Sequence, residues 1–289
     1  MKHLSVDLYP RSFEQAGNLN RAADYIHAQF KRVGATVAVQ EFTVQDIRYN
    51  NIIARFGPAE GPLMVIGAHY DSDGDANAGA KYAQGYSPAT HTPGADDNAS
   101  GVAGLLELAR LLQNNPPGHP VELVAYALEE MPFFRTPHMG SLWHARSLAA
   151  QKREVTLMLS LEMIGYYSDE KGSQAYPVAG MELLYPDRGN FIAVVGRFGD
   201  FSTMRRVKAC MAGATDLPVF SINAPPLIPG IDFSDHRSYW AHGYPALMIT
   251  DTAFYRNPHY HAAEDSYEKL DYQRMVRVVE AVYSVVQSY

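Results

Sequence analysis

A single cysteine in 289 residues excludes an intrachain disulfide and any thiolate zinc cluster. That residue, Cys210, lies in a helix-patterned stretch and reads as an inert core residue. Positive charge is also short. Lys and Arg number 24 against 31 Asp and Glu, a formal charge of −7, so the chain has no general electrostatic pull on nucleic acid or an anionic membrane. No run of about 18 apolar residues occurs, which excludes a membrane-spanning helix. The N-terminal MKHLSVDLYPRSF lacks the apolar core of a secretory leader. A cytoplasmic location is the simple reading, although a secreted form trimmed of its leader would look the same. Internal repeats and low-complexity tracts are missing, as are HExxH, GxSxG, GxGxxG and the P-loop. The sequon Asn98-Ala99-Ser100 is read as accidental.

What is present is ordinary globular composition, with 47% hydrophobic and 19% charged residues. Apolar Leu19, Ala22, Ala23, Ile26, Phe30 and Val33 fall on one face of a helix, stopped by Gly34. Alternating and β-branched segments predict strands at 36–44, 51–56 and 63–68. Further strands are expected at 121–128, 155–164, 191–197 and 246–250. Helices are expected at 101–112, 141–150, 201–211 and 272–286. Strands alternating with helices imply an α/β three-layer sandwich, a mixed, mostly parallel sheet with helices on both faces. The whole chain, 1–289, reads as one catalytic domain.

In such sheets ligands bind beyond the carboxyl ends of the strands, and acids and imidazoles collect there. The strand at 63–68 delivers His69, Tyr70 and Asp71; that at 121–128 delivers Glu129 and Glu130; that at 155–161 delivers Glu162. The segment Gly94-Ala95-Asp96-Asp97-Asn98 precedes a helix, and the loop after 246–250 holds His259 and His261. One Asp before a helix is usually a cap, but five segments converging on one edge are a site. Imidazole and carboxylate donors without thiolate suit zinc, manganese or cobalt. Four crowded acids, Asp96, Glu129, Glu130 and Glu162, would be balanced by two divalent ions.

The ordered segments IGAHYDS (66–72), PGADDNASG (93–101), ALEE (127–130), LEMIG (161–165), SDH (234–236) and NPHYHAAEDS (257–266) resemble the M28 family of zinc peptidases. Its relatives include aminopeptidases and glutaminyl cyclases, and the likeness spans about 60 to 270. The resemblance implies that His69 and Glu162 bind one zinc, that Glu130 and His261 bind a second, and that Asp96 bridges both. It further implies that Glu129 is the general base and that a cis peptide joins Asp96 to Asp97. Asp71, two residues past His69, is a candidate to orient that imidazole. Many relatives carry Asp where this chain has Glu162. Segments 72–93 and 131–139 are longer than usual and would rim the site, with Met131, Phe133 and Phe134 either lining an apolar pocket or packing.

The activity implied is hydrolysis of an N-terminal peptide bond, or of a dipeptide, by water activated at two Zn2+ ions, with Mn2+ or Co2+ as alternatives. The implied partner is a peptide or small aminoacyl substrate. Tyr260 is a candidate oxyanion donor and Arg135 a candidate for a substrate carboxylate. The alternative is a glutaminyl cyclase using one zinc. Against it stand the five ligand candidates and Tyr260, where cyclases tend to carry tryptophan. A non-catalytic module with structural metals would leave Glu129 without a role.

Overall fold

The structure, a computed structural model, describes residues 1–74 and 91–289. The expected rim segment 72–93 therefore lies largely outside the described residues. Helix α1 (Ala16–Arg32) buries Leu19, Ala22, Ala23, Ile26 and Phe30, the face its spacing predicts. Strands β1 (Thr36–Val44) and β2 (Ile47–Phe56) form a hairpin. Gln45 and Asp46 close it with positive φ at both, the geometry that matches strand twist. This closure extends β2 four residues ahead of the predicted start.

The remaining elements follow in order: β3 (Leu63–His69), α2 (Gly101–Asn114), β4 (Val121–Tyr126), α3 (Gly140–Ala150), β5 (Val155–Glu162) and β6 (Ile192–Gly196). Next come α4 (Phe201–Ala214), β7 (Val219–Asn223), α5 (His236–Trp240), β8 (Ala246–Thr250) and α6 (Tyr272–Ser288). The eight strands form one sheet in the order β1-β2-β4-β3-β5-β8-β6-β7. Its central strands β4, β3, β5 and β8 run parallel, while β1, β2 and β6 join antiparallel neighbours. The four parallel strands thus end at one edge.

Side chains alternate across this sheet with the two-residue period of a strand. Met64, Ile66 and Ala68 of β3 face the larger core with α1, α2, α4 and α6. Leu63 and Val65 face a second core with α3 and Tyr239 of α5. Helices therefore cover both faces, as the α/β sandwich reading requires. Cys210 is half-buried on α4, beside Ser288. Among the described residues no helix is long and apolar enough to cross a membrane.

Two strands are shorter than their apolar runs predict. β4 ends at Tyr126 and Leu128 turns left-handed at φ 60°; β5 ends at Glu162 and Met163 turns left-handed at φ 50°. The apolar run continues in each case because the turn is itself buried. β7 and α5 were missed at the sequence level. β7 is a half-buried edge strand and carries no continuous apolar run, and α5, five residues long, is too short for a helical period to declare itself.

Candidate metal centre

His69 is the last residue of β3, and its Nε2 faces Asp97 Oδ1 at 3.2 Å and both oxygens of Glu162 at 3.4 Å. His261 lies in the loop after β8, with Nε2 3.1 Å from Asp97 Oδ2 and 3.3 Å from Glu130 Oε2. One carboxylate thus stands between two imidazoles, each backed by a glutamate. His69, Asp97 and Glu162 form one compact group of donors, and Asp73, Glu130 and His261 another.

This geometry corrects the expectation for Asp96. Its Oδ1 accepts the N–H of Gly165 at 2.9 Å and its Oδ2 accepts Asn257 Nδ2 at 2.8 Å, so its carboxylate is committed beneath the centre. The neighbouring Asp97, with φ −102° and ψ 90°, presents its carboxylate to the imidazoles instead. The cis peptide is likewise one residue later than expected, between Asp97 and Asn98. The adjacent Asp in ADDNAS was the only sequence signal for this shift. Gly94, at φ 58°, approaches this turn so closely that a Cβ there would collide with the carbonyl of Asp97.

Asp71 lies under His69. Its carbonyl is 3.2 Å and its Oδ1 3.4 Å from His69 Nδ1, while its Oδ2 accepts the N–H of Glu130 at 3.0 Å. One side chain therefore touches segments from both donor groups. Asp73, which sequence reading missed, stands 3.5 Å from Nδ1 of His261. Ser234 donates to Glu162 Oε2 at 2.7 Å, another missed contact. Asp265 accepts the backbone N–H groups of Asp96 and Asp97 and so fixes the turn that carries Asp97.

Glu129 is different. Its Oε2 is 3.9 Å from His69 Nε2, and among the described residues no donor binds its carboxylate. Tyr260 stacks on His261, rings 3.8 Å apart and 18° from parallel. Arg135 pairs with Asp232 and lies over the rings of Phe233 and Phe134. It is thus already engaged away from the two donor groups. Phe133 packs edge-on against Phe13, and Phe134 against Phe233. A separate apolar cavity of about 90 Å³ reaches Glu162, lined by Tyr176, Phe191, Phe220, Met248 and Phe254 among others.

Burial governs the charges. It raises Glu129 well above the ordinary carboxylate range, with Glu162 and Glu130 adding to the effect against the pull of His69. Burial and the charge of Asp97 hold Glu130 at about 8, and burial also raises Glu162. Burial opposes ionisation of Asp97 too, but the close approach of the His261 and His69 imidazoles outweighs it and holds this carboxyl low. Both imidazoles resist burial and are raised by the acids around them, His69 by Glu162 and Glu129 first, His261 by Glu130.

The donors fit divalent cations. Asp97 Oδ1, Glu130 Oε1 and both ring nitrogens of His261 are buried without a hydrogen-bond partner. Asp97 Oδ1 stands 3.2 Å from His69 Nε2, and His261 Nε2 stands 3.1 Å from Asp97 Oδ2 and 3.3 Å from Glu130 Oε2, yet these atoms do not line up as N–H···O pairs. Atoms so placed converge on common points, as ligands do, and orphaned buried polar atoms call for such an explanation. Nitrogen and oxygen donors without sulfur suit zinc and its neighbours.

The model of Peptidase family M28 matches residues 51–286. The uncharacterized protein YfbL of Escherichia coli (strain K12) is 53% identical over 288 residues, 99% of this chain and 85% of that one. Curated relatives named as aminopeptidases are longer, and the chain spans 60% of the one from Saccharomyces cerevisiae. Among solved structures, the LapA aminopeptidase of Legionella pneumophila superposes with a TM-score of 0.74 at 19% identity, covering 99% of this chain and 68% of that one. The glutaminyl cyclase of Tannerella forsythia superposes with 0.70 at 22% identity, covering 99% and 95%. Those two likenesses share the fold; the sequence match carries the assignment. With its donors gathered at the edge where the matched segments converge, the chain belongs to peptidase family M28.

Proposed function

We propose that this protein is a two-cation aminopeptidase that releases apolar N-terminal residues from peptides. The observation that carries this reading is the shared carboxylate of Asp97 between His69 and His261, with Glu129 unbound beside them. His69, Asp97 and Glu162 would hold one ion, and His261, Asp97 and Glu130 the other. A divalent pair of the zinc class supplies Lewis acidity, polarising the scissile carbonyl and lowering the pKa of water toward ~7.

The rest falls to the chain. Glu129 takes the proton of the attacking water and delivers it to the leaving amine. Tyr260, held by its stack on His261, is assigned as a hydroxyl donor to the tetrahedral oxyanion. The acidic cluster attracts the free α-amine of the substrate. The cavity beside Glu162 takes the apolar side chain of the first residue.

The test is a panel of aminoacyl amides, free or N-acetylated, with protein loaded with zinc, manganese or cobalt. Release of leucine or phenylalanine from free substrates, abolished by acetylation, is expected. Conversion of N-terminal glutamine to pyroglutamate with loss of ammonia, without hydrolysis of any amide, would replace this reading with a cyclase. Bound metal with neither activity would leave a binding module.

A further inference from the structure

The N-terminal segment ahead of α1 lies before the region that defines the family, yet it sends one side chain under the centre. Arg11 is wholly buried. Its Nε donates to the carbonyl of Tyr70 at 2.9 Å, and its Nη2 to that of Gly94 at 2.8 Å. Its Nη1 donates to the carbonyls of Leu4 at 2.6 Å and Pro93 at 2.9 Å. Tyr70 stands between His69 and Asp71; Gly94 stands three residues before Asp97. One guanidinium therefore ties together the two segments that carry His69 and Asp97, which are 28 positions apart in sequence. The surrounding strap repeats the pattern. Ser72 N–H donates to the carbonyl of Arg11 at 3.3 Å, and the Tyr9 hydroxyl donates to that of His91 at 3.2 Å.

A buried cation is costly unless it is balanced. Among the described residues Arg11 has no carboxylate within ion-pair distance, and all four of its bonds go to carbonyls. Its balancing charges are more distant: Asp265, Asp71, Asp97 and Glu130, all in or touching the two donor groups. Burial lowers the guanidinium only to about 10, so it stays charged at neutral pH. A planar five-donor fork matches this arrangement of carbonyls, and an ammonium group does not.

We propose that Arg11 is a positioning residue of the metal centre, fixing the segment of His69 and Asp71 against the segment of Asp97 so that both donor groups keep their spacing. This inference rests on the two-cation reading above. By linkage, a strap that sets the ligand geometry must itself be stabilised when the ligands are occupied.

Hydrogen exchange of the wild-type chain with and without zinc tests this directly. Peptides covering His69–Asp73 and Asp96–Gly101 should slow on loading, and so should peptides covering 4–13, by about fivefold or more. Slowing at the ligand segments with no change at 4–13 would overturn the role of Arg11. No slowing anywhere would overturn the two-cation reading and this inference with it.

Arg11→Lys keeps the charge and loses the fork. It should weaken binding of the second zinc at least tenfold in chelator competition and alter the visible spectrum of the cobalt-loaded protein. Leu19→Ala, a core loss on α1, should lower thermal stability and leave both unchanged. Wild-type affinities and spectrum in Arg11→Lys would overturn the proposal, and so would equal losses of affinity in the two variants. Should Arg11→Lys fail to fold, the exchange experiment decides alone.

Discussion

Asp97 Oδ2 lies 3.1 Å from His261 Nε2, while the other oxygen of the same carboxylate faces His69 at 3.2 Å. Its neighbour Asp96 is the same residue type with a similar burial but is bound to Gly165 and Asn257. The two aspartates should separate by mutation. Asp97→Asn should reduce the ions held from two to one or none, measured by metal analysis after gel filtration. Asp96→Asn should keep both ions, because this side chain faces Gly165 and Asn257 and not the imidazoles; one of those two donors loses its acceptor, so the cost falls on stability. Loss of metal in Asp96→Asn alone would restore the original assignment.

Glu129 and Glu130 are adjacent and sit in opposite circumstances. Glu129→Gln should leave the metal content unchanged and lower kcat by roughly 10²–10⁴, the contribution of a general base. Glu130→Gln removes a carboxylate that faces His261 at 3.3 Å and should weaken one ion. Metal analysis combined with steady-state kinetics separates the two; metal loss in Glu129→Gln would reverse the roles.

Asp71 touches His69 and the backbone of Glu130, one from each donor group. Asp71→Asn should cost about 10–100-fold in metal affinity, as loss of an orienting partner does. Unchanged affinity would reduce Asp71 to a loop-packing role.

Much of this was legible in the sequence. Helix and strand periods located twelve elements because their buried faces are regular, and parallel strands bring their carboxyl ends to one edge whatever the loops do. That places His69, Glu129, Glu130 and Glu162 together from chain order alone. The choice between Asp96 and Asp97 was not legible, since it depends on the local φ and ψ of Asp97 and on Asn257, 160 positions away. Arg11 was hidden for the same reason: its partners are carbonyls, and carbonyls leave no mark in a sequence.

Stability of the metal-free protein should depend on pH in a definite sense. Burial holds Asp265 at about 8 and Asp235 at about 7, with Glu130 at about 8. These acids keep their protons longer in the folded chain than in the unfolded one. Folding is therefore penalised progressively as pH rises from ~4 to about 8. His69 and His261 act in the same direction: their stabilisation is complete below ~6.5 and is lost as pH climbs through their raised values. Asp97, and Glu122 of β4 beside His144 and Arg55, have the opposite sign, but their stabilisation is lost only in acid, as pH falls below ~4. The Tm of metal-free protein should fall by about 5 °C or more between pH 5 and 8. Zinc binding at pH 7 should release protons, seen as a dependence of calorimetric heat on buffer. A flat Tm profile without metal would count against the crowding of these acids.

The cavity beside Glu162 should set the preferred first residue. Ala193 of β6 lines it with a small side chain, together with Phe191, Phe220 and Met248. Ala193→Leu adds three carbons there without adding charge. A substrate whose side chain fills the cavity must then displace packed atoms, whereas an alanyl substrate needs none of that space. One methylene in an apolar pocket changes discrimination by roughly 10-fold or more. The ratio of kcat/KM for leucine amide over alanine amide should accordingly fall by about 10–100-fold. The fall should appear mainly in the leucine substrate, with ion content unchanged. An equal loss for both substrates would mean the substitution disturbs the centre. An unchanged ratio would mean the N-terminal side chain binds elsewhere, leaving the cavity as ordinary core.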